Sequence, residues 1–332
     1  MTYTIWLTDA CNMNCKYCYE KNKVIRNMNS ELADKTIEFI SKTNIEKNLL
    51  ILLHGGEPLM NYDILIYLVK KLKEVAILKE WNIAFVMTTN GTLLDDEKIE
   101  FIVNEGIYLT ISCDGIKEVH DKNRKFKDGK NTHSIVVENI IKVLEKMPNL
   151  RIRMTFRRDD VLNIYNSIKF VIDLGGRYIV PVCDFYDSTW DESTLNLLKE
   201  QLILTKLYIK DNVNIHIGLL DKKQYKVKGR CLGGYREVNI DADGKIYPCT
   251  LAVGNSEFCI GDIISGIDEV ARENINKYSD SEIEECGNCG LNKVCDLRRC
   301  RIINYLETGS YCKVSPIMCA IERIRYEVIF KG

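Results

Sequence analysis

The sequence predicts an α/β protein whose first part is an open parallel sheet or partial barrel and whose last part is small, loop-rich and metal-binding. Three observations predict it. Up to about residue 183, strand-like runs alternate with helix-like ones, which implies parallel strands joined by right-handed crossovers. After Asp184 that alternation stops. Nine of the fourteen cysteines then fall between Cys231 and Cys319, where bound metal compensates for the lack of a large core.

The first strand is expected at Thr4-Ile5-Trp6-Leu7, followed by a helix over 30–43. Leu49 to Leu53 is a short apolar run ended by Gly55-Gly56, with a helix over 62–78 after it. Ile83 to Met87 precedes a helix over 95–104, and Tyr108 to Ser112 one over 134–146. Arg151 to Phe156 and Tyr178 to Val182 complete six strands, with a helix over 162–174 between them. In such folds ligands bind at the carboxyl ends of the strands. A long helix over 192–209 leads to the basic segment Asp221 to Arg230. Beyond Cys231 there is little helical periodicity until Ser315 to Ile329. The chain shows neither internal repeats nor low-complexity tracts.

Its 332 residues favour one large domain and a smaller one. An apolar fraction of 46% and a charged fraction of 28% are those of an ordinary protein with a core. The formal charge of −1 gives no general reason to expect nucleic acid or an anionic membrane as partner. No apolar run is long enough to span a bilayer, and the N-terminus lacks the pattern of a secretory signal. The expectation is therefore a cytoplasmic protein whose thiols stay reduced, so that clustered cysteines mean metal.

Cys11, Cys15 and Cys18 form C-x3-C-x2-C directly after the first strand. Three thiolates in one loop suit a cubane of four irons with one iron left open, whereas structural zinc wants a fourth ligand nearby. The motif, with Tyr17 before its last cysteine, resembles the radical S-adenosylmethionine superfamily. Further signatures of that family end successive strands: Gly55-Gly56-Glu57-Pro58, Thr89-Asn90-Gly91-Thr92, and Ser112-Cys113-Asp114-Gly115. Each alone is an ordinary turn signal. One per strand, in order, they are specific.

The resemblance implies that the open iron chelates the methionyl amine and carboxylate of S-adenosylmethionine. Gly55 and Gly56 would let the backbone approach the amine, with the charge of Glu57 near it, and Pro58, Thr89, Asn90, Tyr17 and Asp114 would complete the cofactor site. Ser112 and Arg124, the latter in His120-Asp121-Lys122-Asn123-Arg124, match the residues that hold the carboxylate in the family. The bland reading of Arg124 is a solvated basic loop, because Lys122, Lys125 and Lys127 surround it.

Cys231, Gly244-Lys245-Ile246-Tyr247-Pro248-Cys249, Cys286-Gly287-Asn288-Cys289, Cys295, Cys300 and Cys319 resemble the SPASM extension of radical enzymes that mature peptides and sulfatases. One spacing departs from it, with four residues between Cys295 and Cys300. The resemblance implies a partial (β/α)6 TIM-like barrel over 1–185, a helical bridge over 186–230, and a small cysteine-rich SPASM domain over 231–332. It implies three [4Fe-4S] clusters. One auxiliary cluster would use Cys286, Cys289, Cys295 and Cys319. The other would use Cys231, Cys249 and Cys300, with Cys312 or Cys259 as fourth ligand or an iron left open. A zinc-ribbon-like site from Cys286 to Cys300 is the alternative. Cys113 and Cys259 have the surroundings of plain small hydrophobes. Cys183 and Asp184, at the end of the sixth strand, face the expected substrate position and are candidate catalytic residues.

The resemblance to sulfatase maturases breaks at three positions. Thr250 stands where that group has an aspartate base, His54 where it has Gln, and Glu20 where it has Tyr. A threonine hydroxyl cannot act as a base near neutral pH. Maturation of a ribosomally synthesised precursor peptide is therefore the leading expectation, by a thioether or a carbon cross-link. Sulfatase maturation comes second and tRNA modification, which wants a basic face, third. With the cysteine loop starting at residue 11, a leader sequence is expected to bind elsewhere or on a separate leader-recognition protein. Flavodoxin or ferredoxin is the expected electron donor.

Overall fold

Strands form where β-branched and large apolar residues run together, and in a parallel sheet they are buried on both faces. In the computed structural model these are β1 (Thr2–Trp6), β2 (Asn48–His54), β3 (Asn82–Thr89), β4 (Ile107–Ser112), β5 (Arg151–Phe156) and β6 (Tyr178–Cys183). Between them lie α1 (Ser30–Thr43), α2 (Tyr62–Leu78), α3 (Asp96–Asn104), α4 (Lys117–Asn123), α5 (His133–Lys146) and α6 (Ile164–Asp173). The structure describes residues 1–20, 24–184, 186–212, 214–279 and 281–331; Phe185, where the expected barrel domain ends, lies outside them. Side chains fix several helix starts. Asn29 accepts from Leu32 N and Asp95 from Lys98 N, each satisfying an amide that the helix itself leaves unpaired.

The alternation does not stop at six. Helix α7 (Glu192–Tyr208), begun by Asp191, is followed by the short strand β7 (His216–Ile217). Then come β8 (Glu237–Ile240), β9 (Ile246–Tyr247), the hairpin β10 (Gly261–Asp262) and β11 (Gly266–Ile267), and helices α8 (Glu269–Asn276), α9 (Asp296–Arg299), α10 (Arg301–Thr308) and α11 (Pro316–Phe330). Between Cys231 and Ser315, where little helical periodicity was expected, the short helices α8, α9 and α10 form. The expected helix over 162–174 is corrected: a 3-10 turn over Arg158–Asn163 precedes the α-helix.

The chain divides into two compact units. The first holds Met1–Asn12, Tyr19–Thr110 and Leu232–Lys277. Its parallel strands run in the order β3-β2-β1-β8, with β9 antiparallel at the edge. Strand β8 pairs with β1 over Thr2↔Glu237 to Ile5↔Ile240, so the late segment extends the early sheet. Tyr3, Ile5, Leu53 and Phe85 are buried in this core. The second unit holds Met13–Cys18, Ile111–Cys231 and Tyr278–Gly332. Here β5, β6 and β7 pair in parallel over a core that includes Met154, Phe156, Ile168 and Leu202. Helix α11 lies on α7, where Lys199 pairs with Glu327 at 2.7 Å and Lys206 Nζ donates to Val328 O at 2.7 Å. Among the described residues no helix is long and apolar enough to cross a membrane.

One ion cluster ties distant parts of the first unit together. Arg26 Nε donates to Asp9 Oδ2 at 2.6 Å, and Nη1 reaches Asp241 Oδ2 at 3.1 Å and Asp243 Oδ2 at 3.0 Å. The side chains of Asp9 and Asp241 are wholly buried. Asp241 Oδ1 also accepts the amides of Asp243 and Lys245, forming the turn between β8 and β9. Arg26→Ala would remove the guanidinium that the two buried carboxylates share, at a cost of about 3–5 kcal/mol. The urea midpoint should fall accordingly and Arg26→Lys should restore part of it; a loss below about 1 kcal/mol would mark the pairs as solvent-screened.

Candidate functional site

The first unit holds the entry of the cysteine loop. Gly56 N donates to Thr8 O at 2.9 Å and Glu57 N to Ala10 O at 2.8 Å, so the end of β2 grips the chain as it leaves β1. A Cβ on Gly55, whose φ is +149°, would stand 2.4 Å from Thr8 O, and one on Gly56 2.5 Å from Ala10 O. The glycines are thus required by the approach of this chain's own backbone. Glu57 is 1% exposed. Its carboxylate accepts from Thr89 Oγ1 and Asn90 N, both at 2.7 Å, and from Leu59 N at 3.1 Å, just beyond Pro58, which starts a 3-10 turn. The charge therefore braces the ends of β2 and β3. Asn90 Nδ2 donates to Asn12 Oδ1 at 2.8 Å and lies 3.8 Å from Cys11 Sγ, an amide turned toward a sulfur. Asn12 in turn donates to Thr92 Oγ1 at 2.8 Å.

The rest of the loop belongs to the second unit. Asn14 N donates to Lys125 O at 2.8 Å and Lys16 N to Asn123 O at 2.9 Å, which lays the loop beside the Arg124 segment. Tyr17, between Cys15 and Cys18, donates its hydroxyl to Asp114 Oδ2 at 2.6 Å and accepts from Arg124 Nη1 at 2.7 Å. Arg124 is only 6% exposed, and its Nε has no hydrogen-bond partner among the described residues. The solvated-loop reading of Arg124 is therefore wrong, and its neighbour Lys125 is the exposed one. Asp114 is fully buried; its other oxygen accepts from Thr155 N at 3.0 Å. Burial pushes its carboxyl up to about 6, against the pull of Arg124. Burial likewise raises the Tyr17 phenol well above its usual value.

His120 supports this group in neutral form. Burial and the nearby Arg124 charge push its pKa well down. Its Nδ1 accepts from Asp114 N at 3.3 Å, and its Nε2 lies 3.0 Å from Thr132 Oγ1, whose proton goes to Arg124 O at 2.8 Å. Nε2 must then carry the imidazole proton. Ser112 ends β4, and Cys113 beside it is fully buried, its thiol pushed up by burial to about 12. That is the packing role expected of it.

None of the fourteen cysteines is in a disulfide. In the second unit Cys286, Cys295 and Cys319 pack with Met318 on Ile283, Leu297 and Val314. Burial raises the Cys286 thiol, and Cys319 and Cys289 stand near enough to add to that. Cys295 is pushed up to about 11 by burial, with Glu322 and Cys286 contributing. Cys300 is also pushed up to about 11, again by burial, with Cys231 close by. The structure thus gathers Cys286, Cys289, Cys295 and Cys319, and separately brings Cys231 to Cys300. A bound iron would reverse these shifts, since it holds cysteine as thiolate. Cys312 lies in the turn before α11, its amide donating to Ser310 Oγ. In the first unit, Cys249 follows β9 and Cys259 Sγ faces Gly261 O at 3.4 Å. Among the described residues no three His, Cys, Asp or Glu side chains converge as ligands of a single ion; cubane ligands surround four irons and stand further apart.

At the end of β6, Cys183 is buried and its thiol is raised to about 12 by burial. Asp184, 8% exposed, accepts from Tyr186 N at 3.1 Å and faces Arg157 Nε at 3.6 Å. Burial and the neighbouring Asp187 raise its pKa. Sequence reasoning missed the Arg26 cluster, the linkage of Tyr17, Asp114 and Arg124, and His120. The only sequence signal for the first was Asp241-Ala242-Asp243-Gly244, a turn motif that also gathers charge.

Comparison with known proteins agrees with this fold. Residues 6–166 match the model of the Radical SAM superfamily. The chain is 26% identical to a cysteine-type anaerobic sulfatase-maturating enzyme of Clostridium novyi, over 86% of this chain and 83% of that one. It is equally 26% identical to an AdoMet-dependent heme synthase of Methanosarcina barkeri, over 93% of each. The solved structure of native anSMEcpe with bound AdoMet and Cp18Cys peptide superposes with a TM-score of 0.78 at 20% identity, covering 99% of this chain and 95% of that one. The fold is a partial (β/α)6 barrel with a cysteine-rich C-terminal part.

The Arg124 guanidinium gives a direct test. Arg124→Ala should weaken S-adenosylmethionine binding by tens- to hundreds-fold, as expected for loss of about 2–4 kcal/mol from a charge-assisted pair in a dry site. The exposed Lys125→Ala should change it less than about twofold. Equilibrium binding to the reconstituted protein measures both, and equal effects would take Arg124 out of the cofactor site.

Proposed function

We propose, from the premise that this chain carries a radical S-adenosylmethionine domain over residues 6–166 and is an enzyme, that it modifies a ribosomally synthesised precursor peptide. The observation that carries the reading is the buried Arg124 guanidinium, locked by Tyr17 to the cysteine loop itself, with its Nε lacking a partner among the described residues. Such a group holds an anion that must sit beside that loop.

Cys11, Cys15 and Cys18 would hold a [4Fe-4S] cluster, and Arg124 with Ser112 the methionyl carboxylate. Asp114 and Tyr17 orient the guanidinium, and the neutral His120 fixes the backbone on either side of it without adding charge. Asn90 directs an amide at Cys11, and Glu57 keeps Asn90 in place. When bound, cluster and cofactor would supply a 5′-deoxyadenosyl radical, the species that takes a hydrogen atom from a peptide carbon. Two further clusters would be held by Cys286, Cys289, Cys295 and Cys319, and by Cys231, Cys249 and Cys300 with Cys312, Cys259 or an open iron. The donor sets suit such groups: no cysteine is in a disulfide, and Cys286, Cys295 and Cys319 share one small apolar nest. An open iron would favour thioether formation by holding a substrate thiolate. Cys183 and Asp184 remain the proposed residues on the substrate side.

The sulfatase-maturating relative supports a peptide substrate, but Thr250 stands against the same reaction. Its hydroxyl donates to Asn239 Oδ1 at 3.2 Å and offers no carboxylate to take a proton. Because a heme synthase matches the chain as fully, the assay must include a heme precursor.

Anaerobic reconstitution should give about 12 irons per chain, the content of three cubanes. With reductant, S-adenosylmethionine and the peptide encoded beside the gene, 5′-deoxyadenosine should form and the peptide should lose two mass units. Replacing Cys11, Cys15 and Cys18 together by Ala should abolish both while keeping about two thirds of the iron. Turnover of the heme precursor with no change in any peptide would overturn the substrate assignment.

A further inference from the structure

The carboxyl end of β6 lines a cavity to which the chemistry above gives no task. It lies wholly within the second unit and has a volume of about 230 Å³. Val180 and Val182, which share one face of β6 and are only half-buried, form one wall, with Cys183 at its end. Leu219, Leu297, Met318 and Ile321 form the others. Protein interiors seldom keep a void much larger than a water molecule, and an apolar one of about 150 Å³ already takes benzene. A cavity of this size suits one branched or aromatic side chain and is too small for a folded segment.

The polar groups of the cavity are engaged with one another. Arg325 Nε donates to Leu219 O at 3.2 Å, Nη1 pairs with Glu322 Oε2 at 2.7 Å, and Nη2 donates to Gln224 Oε1 at 2.5 Å. Gln224 Nε2 in turn donates to Gly218 O at 2.8 Å. Glu322 and Arg325 are the two charged residues that line the cavity, and they neutralise each other. Burial keeps the Cys183 thiol protonated, so the end of β6 adds no charge.

We propose that this cavity receives one neutral, apolar side chain of the substrate peptide, from a residue next to the one that is modified, and that Val182 sets this specificity. The proposal rests on the reading that the substrate is a peptide presented to Cys183 and Asp184. A residue facing Asp184 has its chain neighbours about 3.5 Å away per residue. A side chain one or two positions along therefore reaches the wall that Cys183 completes. A charged side chain would leave water to meet a guanidinium and a carboxylate that already pair. An apolar one exchanges water for Val182, Leu219 and Ile321. Val, Leu, Ile and Phe have the size and the chemistry for it.

The test uses the full reconstituted chain and the peptide encoded beside the gene, with the apolar residues flanking the modified one replaced singly by Ala and by Lys. At one position Ala should raise KM at least about tenfold and Lys more, with kcat little changed. Val182→Phe, which fills the cavity from its own wall, should raise KM for the native peptide as much. It should add nothing once that peptide position is Ala. Benzene, the probe, should bind the wild type in competition with the peptide and should not bind Val182→Phe. Iron content and thermal midpoint of Val182→Phe should match those of Val227→Phe, at an exposed valine off the cavity. The peptide replacements and the benzene competition need no enzyme variant, so they decide the question even if Val182→Phe fails to fold. The same KM for every replacement, or benzene that binds without competing, would overturn the pocket and leave peptide modification standing. A peptide left unchanged while the heme precursor turns over would overturn the peptide reading and this proposal with it.

Discussion

The rest of the structure depends on how firmly the backbone of Thr8, Asp9 and Ala10 is held. On one side Gly56 N and Glu57 N bind Thr8 O and Ala10 O. On the other, Asp9 N donates to Arg26 O, and the Asp9 carboxylate takes the Arg26 guanidinium. A loop that must present sulfurs in fixed directions cannot be left to its own conformational freedom, which costs roughly 1–2 kcal/mol per residue to remove. Here the chain leaving β1 is clamped before Cys11 is reached. The same guanidinium reaches Asp241 and Asp243, in the turn that leads to Cys249. One side chain thus ties together the approaches to two cysteines proposed to serve different clusters.

Electrostatics does the corresponding work in the second unit. Arg124 and Asp114 are buried and Tyr17 is partly so, and burial opposes each charge. The carboxyl of Asp114, raised to about 6, is partly protonated in mildly acid conditions, so the Arg124 charge is not fully cancelled there. The sign for stability follows: the folded state favours protonated Asp114, so this group's contribution is greatest at low pH. It is lost as pH rises from the ordinary aspartate value through about 6. A fold that accepts this cost, and gives Arg124 Nε no hydrogen-bond partner among the described residues, is one in which an outside anion is expected to complete the pair.

Much of this was legible in the sequence, for physical reasons that can be named. Helices α1 and α2 have clear apolar stripes, and Asn29 announces the start of the first. The strand-end motifs were visible because each sits where a strand must stop. What they do was less legible. Gly55 and Gly56 meet this chain's own backbone, and Glu57 is consumed as a brace. Helices α8 and α10 span eight residues each, below the roughly 12–15 that hold a helix on their own, so periodicity could not reveal them. The pairing of β8 with β1 and the reach of Arg26 to Asp241 join segments more than 200 residues apart, and no local pattern encodes such contacts.

The most direct test of the account is electron–nuclear double resonance on the reduced chain, with S-adenosylmethionine carrying 15N in its amine and 17O in its carboxylate. Both labels should couple to one cluster. The coupling should vanish when Cys11, Cys15 and Cys18 are replaced by Ala, and the 17O signal should weaken in Arg124→Lys. Absence of coupling from a protein with full iron content would contradict the assignment of the N-terminal loop. Coupling that survives the triple replacement would place the cofactor on a different cluster.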